Sequence, residues 1–71
     1  MQFHERLKEL RTSHNMTQKD VYTAVGLSML GYQRYEYGER TPTLPTLIAL
    51  ADLFQVSLDY LVGRSDEPER R

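Results

Sequence analysis

The side chains equipped for acid–base, nucleophilic or metal chemistry are few and poorly grouped. His4 and His14 lie ten positions apart, too far for one helical face to present them as a metal pair. Ser13, Ser28, Ser57 and Ser65 have no recognisable base partner. Asp66, Glu67 and Glu69 stand together, but in a polar stretch with nothing to hold a substrate. The 71 residues include no cysteine, which removes disulfides and thiolate metal sites and fits a reducing compartment. The sequence thus predicts no catalysis, no metal, no cofactor and no small-molecule ligand. Both histidines read as surface residues.

The remaining polar residues of interest are suited to recognition: Gln18 and Lys19, then Gln33 and Arg34, then Tyr37, Arg40 and Thr41. Short helices must position them. Phe3, Leu7 and Leu10 recur at helical spacing with Glu5, Arg6, Lys8, Glu9 and Arg11 between them, which predicts an amphipathic helix over about residues 2–13. Asn15 suits a left-handed helix end, and Met16 before the N-cap Thr17 suits a hydrophobic staple. A second helix follows over Gln18–Val25, with Val21, Ala24 and Val25 on its inner face. Gly26 stops it, and Ser28 caps a third helix over Met29–Tyr37 with Tyr32 and Tyr35 in the core and Gly38 at its end.

A polar loop from Glu39 to Pro42 leads to Thr43, the expected cap of a fourth helix, whose first turn tolerates Pro45. Leu44, Leu47, Leu50, Ala51 and Phe54 mark its inner face. Ser57 caps a short fifth helix holding Leu58, Leu61 and Val62, and Gly63 ends it. Residues 1–63 therefore form the expected domain, and 64–71 a polar, frayed tail. The mixed loop lengths argue against an up-down bundle.

So short a chain holds one domain and buries only about 60% of its unfolded surface. Its net charge of -1 weighs against a binder that relies on basic composition, so any binding of nucleic acid requires positive charge sorted onto one face. A neutral protein-interaction module is the alternative. No apolar run approaches the roughly 20 residues that span a bilayer. Met1 to Arg6 lacks the apolar stretch of a signal peptide, so a soluble cytoplasmic protein is expected, with no membrane partner.

Two short helices joined by Gly26-Leu27-Ser28 are the central signal, because a tight turn containing Gly sets two helices at a steep angle. The second can then project, and a single helix fits the major groove of B-form DNA, about 12 Å wide. Here the chain resembles the Cro/cI-type, or XRE-type, helix-turn-helix domain, from about Arg6 to Gly63. The resemblance is carried by Arg6-Leu7-Lys8-Glu9-Leu10-Arg11, Met16-Thr17-Gln18, Gly26-Leu27-Ser28 and Tyr35-Glu36-Tyr37-Gly38. Pro42-Thr43-Leu44, Leu47-Ile48-Ala49-Leu50-Ala51 and Val56-Ser57-Leu58-Asp59-Tyr60-Leu61 extend it.

The resemblance implies an all-α, five-helix, lambda-repressor-like fold. It also implies a transcriptional regulator, expected to be a repressor, that binds double-stranded DNA as a homodimer through its second and third helices. It places Gln18 against a phosphate, although Gln18 has a simpler reading as part of the helix cap. Lys19, Tyr37, Arg40 and Thr41 fall where the family passes the phosphate backbone. Base-contacting positions carry over to Met29, Leu30 and Arg34, with Gln33 adjacent. Arg34 suits guanine O6 and N7, or else is a solvated helix charge; Gln33 suits adenine or a phosphate. Arg11 and Glu36 match a structural ion pair that locks the recognition helix to the body.

Two departures stand out. The family places polar side chains where this chain has Met29 and Leu30, which can meet thymine methyls or dock a protein, as in an antitoxin-like or regulatory partner. Tyr22 replaces a small residue, and Gly31 is expected to make room for its ring. A dimerisation element, if any, is expected around Tyr60 and Leu61.

Overall fold

Side-chain caps and left-handed stops divide the chain into α1 (Phe3–Ser13), α2 (Gln18–Ala24), α3 (Met29–Glu36), α4 (Leu44–Phe54) and α5 (Leu58–Leu61) in the computed structural model, which describes residues 1–69. The part of the expected frayed tail at positions 70 and 71 lies outside the described residues. No strand occurs among the described residues. Val25 and Tyr37 are C-caps, one residue beyond their helices.

The Thr17 hydroxyl accepts from Asp20 N at 3.0 Å, and the Asp20 carboxylate accepts from Thr17 N at 2.9 Å, a reciprocal capping box. That backbone donation from Thr17 holds the exposed Asp20 carboxyl below its ordinary value. Ser28 accepts from Gly31 N at 3.1 Å, and Ser57 from Tyr60 N at 3.0 Å. Thr43 occupies the N-cap position but makes no cap bond. Its hydroxyl donates to that of Thr46 instead, at 3.3 Å. At the other end of α2, Gly26 takes φ +74°, and Leu27 N donates to Tyr22 O at 2.8 Å. This Schellman closure turns the chain sharply into α3, at a backbone angle that favours glycine.

Leu7, Leu10, Val21, Tyr32, Leu50, Ala51, Phe54, Val56 and Leu61 form the core. Each large member contributes about 1.5–3 kcal/mol by burial. α1 lies against α3 and α5, α2 against α3, and α4 against α5. The α2–α3 pair is therefore anchored to the body chiefly through α1.

Several inward assignments need correction. Leu44 is 62% exposed: it is the first residue of α4, and the apolar packing of that helix begins a turn later, at Leu47. Ala24 is exposed, and Tyr22 packs against the core in its place. Gly31 is not explained by the Tyr22 ring, because a Cβ there would meet Ser28 Oγ at 3.0 Å. Its missing side chain accommodates the cap of α3. Arg6, expected in the polar stripe of α1, is only 3% exposed. Its guanidinium carbon lies 3.7 Å from the centre of the Tyr60 ring, and it pairs with Glu9 at 3.8 Å and Asp66 at 3.5 Å. Tyr60 is half-buried beneath it and Leu61 is fully buried, so neither offers the expected dimerisation surface. The first residues after α5 fold back on the body, with Ser57 N donating to Pro68 O at 3.2 Å.

Candidate nucleic-acid interface

The interface is built outward from one buried carboxylate. Glu36, in the last turn of α3, receives Arg11 Nε on Oε2 at 2.9 Å and Arg11 Nη2 on Oε1 at 2.8 Å. Arg11 also donates through Nη1 to Met16 O at 3.1 Å, so one guanidinium ties α1, the α1–α2 turn and α3 together. The Tyr32 hydroxyl, one turn before Glu36, donates to Oε2 at 2.6 Å. Gln18 Nε2 donates to Oε1 at 3.3 Å from the first residue of α2.

Burial alone would raise the Glu36 carboxyl, but donation from Arg11, Tyr32 and Gln18 outweighs it and holds the group below its ordinary value. Its hydrogen bond to Glu36 raises Arg11. Burial, then the bond to Glu36, pushes the Tyr32 phenol well above its usual range. At neutral pH the group is thus a fixed ion pair with a neutral phenol, suited to holding two helices rather than to moving protons.

Around this hub the structure brings together several of the sequence-selected residues. Gln33 Nε2 donates to Gln18 Oε1 at 3.2 Å, and Gln18 Nε2 approaches the Tyr37 hydroxyl at 3.5 Å. Arg40 N donates to Arg34 O at 3.2 Å, which folds the loop after α3 against the end of that helix. Met29 and Leu30, in the first turn of α3, are 55% and 56% exposed. Lys19, Tyr37, Arg40 and Thr41 are exposed, and Gln18, Gln33 and Arg34 are half-buried. Among the described residues no hydrogen bond or salt bridge joins the Lys19 or Thr41 side chain to the others. Arg34 and Arg40 form no salt bridge among the described residues and Lys19 lies near the Asp20 carboxylate, whereas Arg6, Arg11 and Arg64 are paired.

One contributor was missed in the sequence. The Tyr32 hydroxyl was hidden behind the assignment of its ring to the core. The signal was its spacing, four residues before Glu36 on one helical face, since a buried phenol needs an acceptor.

An α-helical pair joined by a tight glycine turn, with the first turn of its second helix bare, defines a DNA-reader scaffold of the helix-turn-helix class. A helix-turn-helix family model matches residues 7–61, and the chain belongs to that family, in its XRE branch. It is 39% identical over 64 residues to the cryptic phage CTXphi transcriptional repressor RstR of Vibrio cholerae, covering 90% of this chain and 57% of that protein. An uncharacterised HTH-type transcriptional regulator of Bacillus subtilis, YobD, is 35% identical over 65 residues, covering 92% and 58%. The chain thus spans somewhat over half the length of these relatives. The P22 c2 repressor, solved with a synthetic operator, superposes with a TM-score of 0.84 at 28% identity, over 92% of this chain and 98% of that one. The all-α, lambda-repressor-like fold follows, and the relatives are regulators rather than enzymes. No helix among the described residues is long and apolar enough to cross a membrane.

Proposed function

We propose that this domain binds duplex DNA sequence-specifically and regulates transcription, acting as a repressor in the cytoplasm with α3 in the major groove. The observation that carries this reading is the coincidence of a bare first turn on α3 with Arg34 on the same helix and Arg40 just beyond it, neither held in a salt bridge among the described residues. A single helix fits the groove, and cations beside it replace condensed counterions on phosphates. The Gln18 backbone N–H, at the start of α2, faces an anion favourably. Lys19, Tyr37, Arg40 and Thr41 flank it as phosphate contacts that set register. Arg34 bonds guanine through O6 and N7, and Met29 and Leu30 meet thymine methyls. Binding is by two copies on a site of approximate two-fold symmetry.

The exposed apolar pair Met29 and Leu30 favours one rival, a protein-docking surface on the same scaffold. Fluorescence anisotropy against duplex DNA between about 50 and 200 mM salt separates the two. DNA binding gives a log–log slope of about -0.9 per phosphate neutralised. Salt-independent association, or none at the low end, favours the rival.

A further inference from the structure

Gln33 differs from its neighbour Arg34 in already having a protein partner. A carboxylate only accepts hydrogen bonds, so the carboxamide atom of Gln18 that meets Glu36 must be its nitrogen. The Gln18 oxygen is then committed to the opposite side, where it accepts from Gln33 Nε2. Polarity therefore runs one way, from Gln33 through Gln18 to Glu36. On the core side, Tyr32 and Arg11 Nε share Oε2, while Arg11 Nη2 takes one position on Oε1. That leaves the other side of Oε1 to Gln18. The Gln18 carboxamide is held at both ends, and its second Nε2 proton lies toward the Tyr37 hydroxyl at a distance too long for a strong bond.

We propose that Gln33 and Tyr32 are positioning residues for the Gln18 carboxamide and that neither reads a base. Base discrimination by α3 is then confined to Met29, Leu30 and Arg34. The second Nε2 proton of Gln18, which has no strong acceptor, is presented to a phosphate oxygen beside the backbone N–H without first having to be ordered. This assignment rests on the reading of Gln18 as a phosphate contact.

The test uses Gln18→Ala, Gln33→Ala and Tyr32→Phe, and each of the last two combined with Gln18→Ala. The probe is a fluorescein-labelled duplex recovered by the wild-type chain from a randomised pool of about 20 base pairs, long enough for two half-sites. Each single variant should weaken binding about 3- to 10-fold, the scale of one neutral hydrogen bond. The loss should be equal on every single-base variant of the duplex, and neither Gln33→Ala nor Tyr32→Phe should add to Gln18→Ala. In the DNA-free protein, the Gln18 side-chain amide protons should be well dispersed by NMR, and Gln33→Ala should move them toward the solvated position. Gln33→Ala alters a half-buried surface residue, so it keeps the proposal falsifiable if Tyr32→Phe unfolds the domain.

Loss of preference at a single base pair in Gln33→Ala would make Gln33 a base reader and overturn the proposal. So would full additivity with Gln18→Ala, or Gln18 amide resonances unmoved by Gln33→Ala. If the wild-type chain recovers no duplex at all, the DNA-binding reading fails and the positioning role fails with it, whatever the resonances show.

Discussion

Arg34 and Gln33 are neighbours in sequence with different circumstances in space. Gln33 is engaged with Gln18, whereas the Arg34 guanidinium has no acidic partner among the described residues. Arg34→Ala should therefore cost about 1–3 kcal/mol of specific binding and relax preference at one base pair, measured by competition among single-base variants. Equal loss on all sequences would reassign it to a phosphate. Met29 and Leu30 are the sharper case, because both are more than half exposed at the start of α3. Replacing both with glutamine should move the melting temperature little, within about 0.5 kcal/mol, and shift base preference toward adenine. Unchanged preference with loss of a protein partner would favour the docking alternative. At this scale the sequence was informative where a residue's job depends on its own helix, as for the exposure of Met29 and Leu30. It was silent on Arg6, whose burial depends on Tyr60 and Asp66, both far along the chain.

The elements were the most legible level, because caps are local chemistry. Thr17, Ser28 and Ser57 each accept the backbone bond their position demands, and Asn15 and Gly26 take the left-handed angles expected of them. Errors arose where tertiary packing decides. The 3.6-residue period carries Leu44 onto the inner stripe of α4, but the core does not reach its first turn. What the elements need from one another is concentrated at Glu36. Its folded carboxyl titrates below the ordinary value of 4.5, so the unfolded chain takes up the proton first on acidification. The stabilisation is thus complete above the ordinary carboxylate range and is lost as pH falls through the folded value. Asp20 acts in the same direction. Glu36→Gln should flatten this acid limb of the melting-temperature profile without removing it. A profile parallel to wild type would mean that Glu36 gains nothing from its partners. Arg11→Ala should destabilise by about 3 kcal/mol, the low end for breaking a buried pair, because Tyr32 and Gln18 still donate. The Arg11→Ala and Glu36→Ala effects should be non-additive by about 0.5–3 kcal/mol, and strict additivity would show that the pair is not coupled.

At the scale of the whole molecule the question is how so small a domain would bind DNA as proposed. A single small module covers only about 600–1,000 Å² of protein surface, so specificity calls for two copies on a two-fold site. Tyr60 and Leu61 cannot join them, being packed under Arg6 and in the core. Exposed Ile48 and Leu58 line one groove of about 410 Å³ between α4, α5 and the residues after α5. The Asp59 carboxylate in the same groove lies 3.9 Å from Arg64. On the proposed two-copy reading, an apolar contact this small would hold the copies only weakly in free solution, and DNA would supply the missing free energy by holding both on one site. The free chain should therefore sediment as a monomer at low salt, yet protect two half-sites about 34 Å apart, one turn of duplex. Leu58→Glu adds a charge to this groove at an exposed position. It should leave the melting temperature within roughly 0.5 kcal/mol of wild type and reduce the footprint to independent half-sites. A wild-type footprint over one asymmetric half-site at one-to-one stoichiometry would show that the domain works alone. Unchanged cooperativity in Leu58→Glu would move the contact between copies to another face.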